Sequence, residues 1–523
     1  MTVQAASFKI TYSTLGANQE AFNAAFDEAL AAVHATLGTT HGQFLGGREV
    51  MSAATFDDRS PIDPNVLIGR FAVGTRADVD QAIELAHAAW PAWRDTPWSE
   101  RLAVLRRAAD LISRDKYALS AAMSLEVGKN RLEAMGDVEE AADLIRYYCQ
   151  QMDDAKGFTL PLGRLSDNEN TSSVLRPLGV WAVVCPFNFP LALAAGMSAG
   201  ALVAGNTVVF KPASEAPLLA VRMAHLFHEA GLPSGVFNLV TASGAIFGDA
   251  VTQSRRVEGM IFTGSKEVGM SLYHAFSMRY PRPCILELGG KNPSIVMPSA
   301  DLDKAAEGTM RSSFGFGGQK CSACSRAYVH RSVYDRFLAL LVEKTEAIRI
   351  GDPTLPDVYL GPIINQAAVD RYLHWVERAR ADGGVIRAGG RRLEEHGAGY
   401  YLAPTIVTDL PKDHPLFYTE LFAPVLAVAP VDSLEEAITL SNAADYGLTA
   451  GIFTAEQAEL DVFFNTIESG VLYANRRTGA TTGAWPGVQS FCGWKGSGSS
   501  GKGGCGPYYV MQFMREQSRT VMT

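Results

Sequence analysis

A chain of 523 residues, 47% hydrophobic and 19% charged, can bury two to four domain cores and is too apolar for a disordered polypeptide. A formal net charge of −9 and a pI near 5.7 weigh against a general nucleic-acid binder, which would carry a basic face. Seven cysteines at no framework spacing weigh against a disulfide scaffold, and Met1-Thr-Val-Gln-Ala-Ala-Ser-Phe-Lys9 lacks the pattern of a secretory leader, so a reducing, cytoplasmic setting is expected.

Asn18 to Leu37 reads as a helix and Gly42 to Ser52 as a short strand pair. Thr75, with Asp78 three positions on, is a candidate N-cap. Helical periodicity runs from there to Trp93, then from Trp98 to Arg114, Lys116 to Gly128 and Asn130 to Cys149. These helices are read as cover rather than as carriers of chemistry. From Gly179 the texture changes. Val180-Trp-Ala-Val-Val-Cys185 is continuously apolar, as in a strand buried on both faces. Leu191 to Gly205 is apolar but shorter than the ~20 residues that span a bilayer, so a buried helix is expected. The strands Thr207–Lys211, Val236–Val240, Gly259–Thr263 and Cys284–Leu288 follow, with a helix from Pro217 to Ala230 closed by Gly231. Such alternation predicts βαβ units and a parallel, dinucleotide-type sheet. A second α/β series begins near Asn292, with strands at Ser294–Met297 and Ala327–His330 and helices at Leu302–Phe314, Tyr334–Ile348 and Asn365–Asp382. The amphipathic tail Val510–Thr523 is expected to add to a partner subunit.

The chemistry centres on Gly315-Phe-Gly-Gly-Gln-Lys-Cys321-Ser-Ala-Cys324-Ser-Arg326. Glycines allow positive φ and a close backbone approach, which suits a loop presenting a nucleophile; buried apolar cysteines are the competing reading. No G-x-G-x-x-G follows the first strand, but Gly264-Ser265-Lys-Glu-Val-Gly269 joins a strand to a helix, either a pyrophosphate seat or an ordinary turn. Gly496-Ser-Gly-Ser-Ser-Gly501-Lys502-Gly503 fails as a P-loop because Gly503 replaces the Mg²⁺-binding hydroxyl. Cys321-Ser-Ala-Cys324 has no second pair to complete a zinc site, so no metal is expected. Glu287 ends an apolar strand, where desolvation would raise its pKa toward that of a general base; a capping or salt-bridged glutamate is the alternative. Asn188, between two phenylalanines, is a turn residue or an oxyanion donor.

Seven motifs then fall in one order: Pro186-Phe-Asn-Phe-Pro190, Lys211-Pro212, Phe262-Thr-Gly-Ser265 with Gly269, Glu287-Leu-Gly-Gly290, Gly318-Gln-Lys-Cys321, Glu420-Leu-Phe-Ala-Pro424 and Phe491 to Gly498. Over roughly residues 45–500 this pattern resembles the aldehyde dehydrogenases. Gly317 to Arg326, Tyr473-Ala-Asn-Arg476 and Glu126-Val-Gly-Lys-Asn130 are most similar to the branch acting on 1-pyrroline-5-carboxylate, whose open form is L-glutamate γ-semialdehyde.

The resemblance implies an α/β fold: a Rossmann-like cofactor domain (1–290, interrupted near 150–178 by an oligomerisation segment), a catalytic domain (291–475) and a return with a C-terminal arm (476–523). It implies Cys321 as nucleophile, Glu287 as base for water, and Asn188 with the Cys321 N–H as oxyanion donors. For NAD or NADP it implies Pro186, Phe187, Lys211, Ser214, Gly264, Ser265, Gly269, Leu288, Glu420 and Phe422, with Lys211 and Glu420 at the riboses. For the aldehyde it implies Lys320, Ser322, Gly483, Ala484 and Phe491, with Thr478-Gly479-Ala480 as a competing alignment of the Thr482-Gly483-Ala484 turn. A homodimer or higher homo-oligomer is implied too. Ser214 stands where many NAD-preferring members carry glutamate, which leaves room for the NADP phosphate. Cys492 replaces a glycine and is expected by the substrate mouth; the stretch 496–506 is unusually rich in glycine. A CoA-acylating relative and a non-catalytic binding protein of the same fold are the competing functions. Glu287 weighs against the first, and the intact catalytic set against the second.

Overall fold

The computed structural model describes residues 19–523, so the readings of Met1–Lys9 and of Asn18 lie outside the described residues. The first helix spans Gln19–His34. Thr75 forms a full capping box: its hydroxyl accepts from the Asp78 N–H, and the Asp78 carboxylate accepts from the Thr75 N–H at 2.7 Å. Such a cap is worth about 1 kcal/mol and fixes where Arg76–Asp95 begins. Trp98–Arg114, Lys116–Val127 and Arg131–Asp154 follow. Gly128 ends the third of these four helices at φ 77°, and Asn130 caps the fourth through the Glu133 N–H at 2.9 Å.

Seven strands form the first sheet, in the order Cys284–Glu287, Val257–Thr263, Val180–Val184, Thr207–Lys211, Phe237–Leu239, Gln43–Leu45, Arg48–Val50. The first five are mutually parallel, and the last two add antiparallel. The strand order turns back on itself at Val180–Val184, where the chain runs first to one side and later to the other. Ligands of open α/β sheets bind at the carboxyl ends of strands around such a switch point. The apolar helix Ala192–Ala204 packs beside it, with Leu193 its only residue not fully buried.

A second seven-stranded sheet runs Val385–Ala388, Thr405–Thr408, Val425–Val431, Cys324–His330, Asn292–Val296, Thr449–Phe453, Val471–Ala474, parallel except for the first pair. The expected α/β architecture, with a Rossmann-like sheet, a second α/β sheet and a small β sheet, is therefore observed. Within the tail expected to add to a partner subunit, Met514–Met522 pairs by one edge with its own chain, antiparallel to Glu169–Pro177, from Met514 opposite Pro177 to Met522 opposite Glu169. With Thr159–Pro161 on its other side, Glu169–Pro177 has an open edge that the extended tail completes.

Candidate active site

The 302–314 helix ends at Phe314, and the chain reaches Cys321 through a tight turn with φ of 51° at Phe316, 65° at Gly317 and 69° at Gly318. Glycine is required at 318, where a Cβ would also press against the Ala423 carbonyl at 2.6 Å. The turn is tied down from several sides. The Asn188 side-chain N–H donates to the Gln319 carbonyl at 2.9 Å, and Gln319 accepts from the Ile364 N–H at 2.9 Å. Behind the nucleophile, the Asn292 amide donates to the Cys321 and Ala323 carbonyls at 2.8 and 2.9 Å, and the Thr481 hydroxyl to the Ser322 carbonyl at 2.7 Å. Asn188, expected as turn or donor, thus spends one amide proton on the nucleophile's loop and keeps the other.

Burial pushes the Cys321 thiol up to about 12, with the charges of Glu420 and then Glu287 adding to it; the Ser322 and Cys321 N–H groups pull the other way. Glu287 is pushed well above the ordinary carboxylate range by burial alone, and its Oε2 has no hydrogen-bond partner among the described residues. A carboxyl so placed holds its proton more readily than an ordinary glutamate, and as a base it is stronger. Cys324 differs from Cys321 in lying fully inside the second core, its Sγ 3.5 Å from the Arg326 carbonyl.

One cavity of about 210 Å³ brings together Cys321, Glu287, Leu288, Lys320, Ser322, Gly483, Ala484 and Phe491. Thr482 lines it beside Gly483, whereas Ala480 is buried in the second core with its N–H on the Gly308 carbonyl. All three residues of the 482–484 turn line the cavity, and of 478–480 Thr478 does. Cys492 is not on the wall. Its Sγ faces the Gly470 carbonyl at 3.6 Å, and the second cavity thiol is Cys505, at φ 61°. The glycine-rich stretch also has its reason here. Leu288 donates to the Ser497 carbonyl at 2.9 Å and the Ser497 hydroxyl to that of Gly289 at 2.7 Å, so these segments lie flat against the strand carrying Glu287.

The helix Arg131–Asp154, read as mere cover, contributes Glu133, Glu140, Leu144 and Tyr148 to the cavity. Their spacing of 7, 4 and 4 puts them on one helical face, so two carboxylates in phase with an apolar stripe were the available signal. Lys320 donates to Glu133 Oε1 at 2.5 Å, while Glu133 Oε2 has no hydrogen-bond partner among the described residues. Asn292 and Thr481, which brace the nucleophile, left no local signal.

At the switch point, Ser265 caps the helix Lys266–Phe276 through the Val268 N–H. Gly264 donates to the Glu287 carbonyl at 3.2 Å, and a Cβ on Gly269 would collide with Leu288. Lys211 is buried, which lowers its pKa, and spends one N–H on the Pro212 carbonyl at 2.7 Å. Ser214 is exposed beside it. Pro186 opens the loop after Val180–Val184, and Phe187 meets the Phe422 ring edge-on at 6.0 Å. Glu420 is pushed up to about 7 by burial, against the pull of the Gly290 N–H at 3.0 Å and of Lys291. A Cβ on Gly289 would collide with that carboxylate, so glycine is needed there. An open helix N-terminus, a lysine with spare protons and a carboxylate fixed at a glycine fit the pyrophosphate and the two riboses of a nicotinamide dinucleotide.

A parallel sheet with a switch point, joined to a second α/β sheet that presents a thiol and a carboxylate in one cavity, defines a dehydrogenase of the covalent-thiol class. The model of the aldehyde dehydrogenase family matches residues 50–519, and the chain belongs to that family. It is 37% identical over 503 residues to 1-pyrroline-5-carboxylate dehydrogenase 2 of Bacillus subtilis, spanning 95% of each chain. With the 1-pyrroline-5-carboxylate dehydrogenase of Geobacillus thermodenitrificans it shares 36% identity over 513 residues, 97% of each. The solved 1-pyrroline-5-carboxylate dehydrogenase from Thermus with bound NAD superposes with a TM-score of 0.93 at 34% identity, covering 100% of both chains. Against proline utilization A from Bdellovibrio bacteriovorus the TM-score is 0.91 at 36% identity, over 96% of this chain and 52% of that longer one.

Proposed function

We propose that this protein oxidises L-glutamate γ-semialdehyde, the open form of 1-pyrroline-5-carboxylate, to glutamate with NAD, as a step of proline breakdown. The observation that carries this reading is the single cavity holding Cys321 and Glu287 together with a polar wall suited to an amino acid. Ser322 and the 482–484 turn offer donors to a carboxylate, and the free oxygen of Glu133 offers an acceptor to an ammonium. NAD, bound along Lys211, Ser265 and Glu420, supplies the two-electron acceptor. Ser214 leaves NADP admissible.

Cys321 gives its thiol proton to Glu287, the base in the same cavity, which passes it to solvent, and attacks the aldehyde carbon; the C–S bond of a thiohemiacetal forms as the carbonyl π bond opens to an oxyanion held by the spare Asn188 proton and the Cys321 N–H. Splitting the oxidation at a covalent adduct replaces one hard step with two easier ones. After oxidation to the thioester, Glu287 takes a proton from water. The resulting C–O bond replaces the C–S bond, and the acid leaves. The cofactor, catalytic and C-terminal parts are assigned to 1–290, 291–475 and 476–523. A cytoplasmic homodimer or larger homo-oligomer is part of the same proposal, supported by the outer edge of Met514–Met522, unpaired among the described residues, and by its exposed side chains from Arg515 on, an edge open to strand addition.

The test is turnover of glutamate γ-semialdehyde by the purified chain with NAD, followed by cofactor reduction and glutamate formation. Glutamate release without CoA supports the proposal. Product formation only with CoA, or a preference for aldehydes lacking the amino and carboxylate groups, overturns it.

A further inference from the structure

Lys129 and Asp137 form an ion pair with no exposure on either side chain, Nζ to Oδ2 at 2.7 Å. Neither residue lines the cavity, and the mechanism above does not use them. Burying two charges is a poor route to stability, since an apolar pair of similar volume is often as stable or more so. The surroundings of this pair are specific. Lys129 Nζ sits 3.8 Å from the ring centroid of Phe189, the neighbour of Asn188, and 5.1 Å from that of Phe316, in the left-handed turn before Cys321. A cation is drawn to the faces of both rings. The other oxygen of Asp137 accepts from the Ala192 N–H at 2.6 Å, at the start of the helix that follows the Asn188 loop.

We infer that the Lys129–Asp137 pair is the positioning device of the oxyanion site: Lys129 bridges the Asn188 loop to the Cys321 turn through Phe189 and Phe316, while Asp137 anchors the far end of the Asn188 loop. Asn188 is the residue directly before Phe189, the nearer of the two held points, and its side-chain amide donates to Gln319, whose own N–H closes back on the Phe316 carbonyl at 3.2 Å. The pair therefore sets the direction of the amide proton that Asn188 keeps. Glu133 and Lys320 are the next charges around Lys129, and they neutralise each other at 2.5 Å. This inference rests on the roles given above to Asn188 and Cys321.

Lys129→Met alone would leave Asp137 buried and unpaired, so the informative variant is Lys129→Met/Asp137→Asn, which removes both charges and keeps an acceptor for Ala192. Its melting temperature, NAD affinity, kcat and KM are compared with those of wild type, in the native and the Asn188→Ala backgrounds. The expected result is a folded protein with NAD affinity and KM unchanged and kcat lowered roughly 10–100-fold, less than the ~10²–10³ that outright loss of an oxyanion donor costs. In the Asn188→Ala background the same change costs less than about threefold, because coupled residues are not additive. Acylation of Cys321 by p-nitrophenyl acetate, which needs no aldehyde and no NAD, should slow in the same pattern. Wild-type turnover of the semialdehyde reports separately on the proposed function. A folded double variant that acylates at the wild-type rate overturns the inference, as does an equal loss in both backgrounds.

Discussion

The thiol side and the ribose side of the site each hold a half-buried glutamate, and the two are treated differently. Glu420 has the Gly290 N–H and the Lys291 charge to lean on and is held near 7. Glu287 has an oxygen with no partner among the described residues and is pushed well above the ordinary range by burial alone. A buried carboxylate with partners is suited to gripping a ligand, whereas one without them is a base waiting for a proton. The same division separates Lys211, anchored on its neighbour's carbonyl, from Cys321, a half-buried thiol raised by desolvation and then by two acids.

That contrast can be broken most severely at the thiol. Cys321→Ala is expected to remove NAD-dependent oxidation by a factor of about 10⁴ or more with the melting temperature unchanged, because the covalent route disappears. Initial rates of cofactor reduction check this, and a rate near wild type would refute the covalent mechanism. Glu287→Gln is expected to cost about 10²–10⁴ in kcat, with one equivalent of reduced cofactor formed in a burst before a slow steady state. Its pH behaviour follows from the raised pKa. The folded protein holds the Glu287 proton more tightly than the unfolded chain does, so that contribution to stability is present at low pH and lost as pH rises through the folded value. The Gln variant should therefore lose less melting temperature than wild type as pH rises above the ordinary carboxylate range.

Smaller effects sharpen the ribose side. Glu420→Gln should weaken NAD binding by about tenfold, as loss of a charge-assisted hydrogen bond does. It should also lower the Cys321 pKa, since Glu420 is the larger of the two acid influences on that thiol. Calorimetric titration with NAD and the pH dependence of iodoacetamide alkylation read the two effects separately. Smallest is Ser322→Ala, expected to raise KM for the semialdehyde about three- to tenfold with kcat unchanged, the signature of lost uniform binding.

Much of this site was legible along the chain. The Gly-Gly-Gln-Lys-Cys run marked the nucleophile, the strand ending at Glu287 marked the base, and the strand–helix alternation marked the switch point. What was not legible has a common cause. Cys492, expected by the mouth because it replaces a glycine beside Phe491, has its thiol on the Gly470 carbonyl; Cys505, fourteen positions from Phe491, is on the wall. The helix Arg131–Asp154 looked like cover because amphipathicity shows which face is buried and not what it is buried against. Asn292 and Thr481 brace the nucleophile from 29 and 159 residues away along the chain.

The sequence alone determined the local chemistry: which residues can act as nucleophile, base and donor, and which segments become strands and helices, since these follow from side-chain type and short-range periodicity. Only the tertiary structure decided how strongly each group is perturbed. Whether Glu287 keeps an orphaned oxygen, whether Cys321 is surrounded by acids and whether Lys129 meets both Phe189 and Phe316 depends on segments far apart in sequence. Burial and unmet hydrogen bonds, which set those energies, exist only once the two sheets have closed on one cavity.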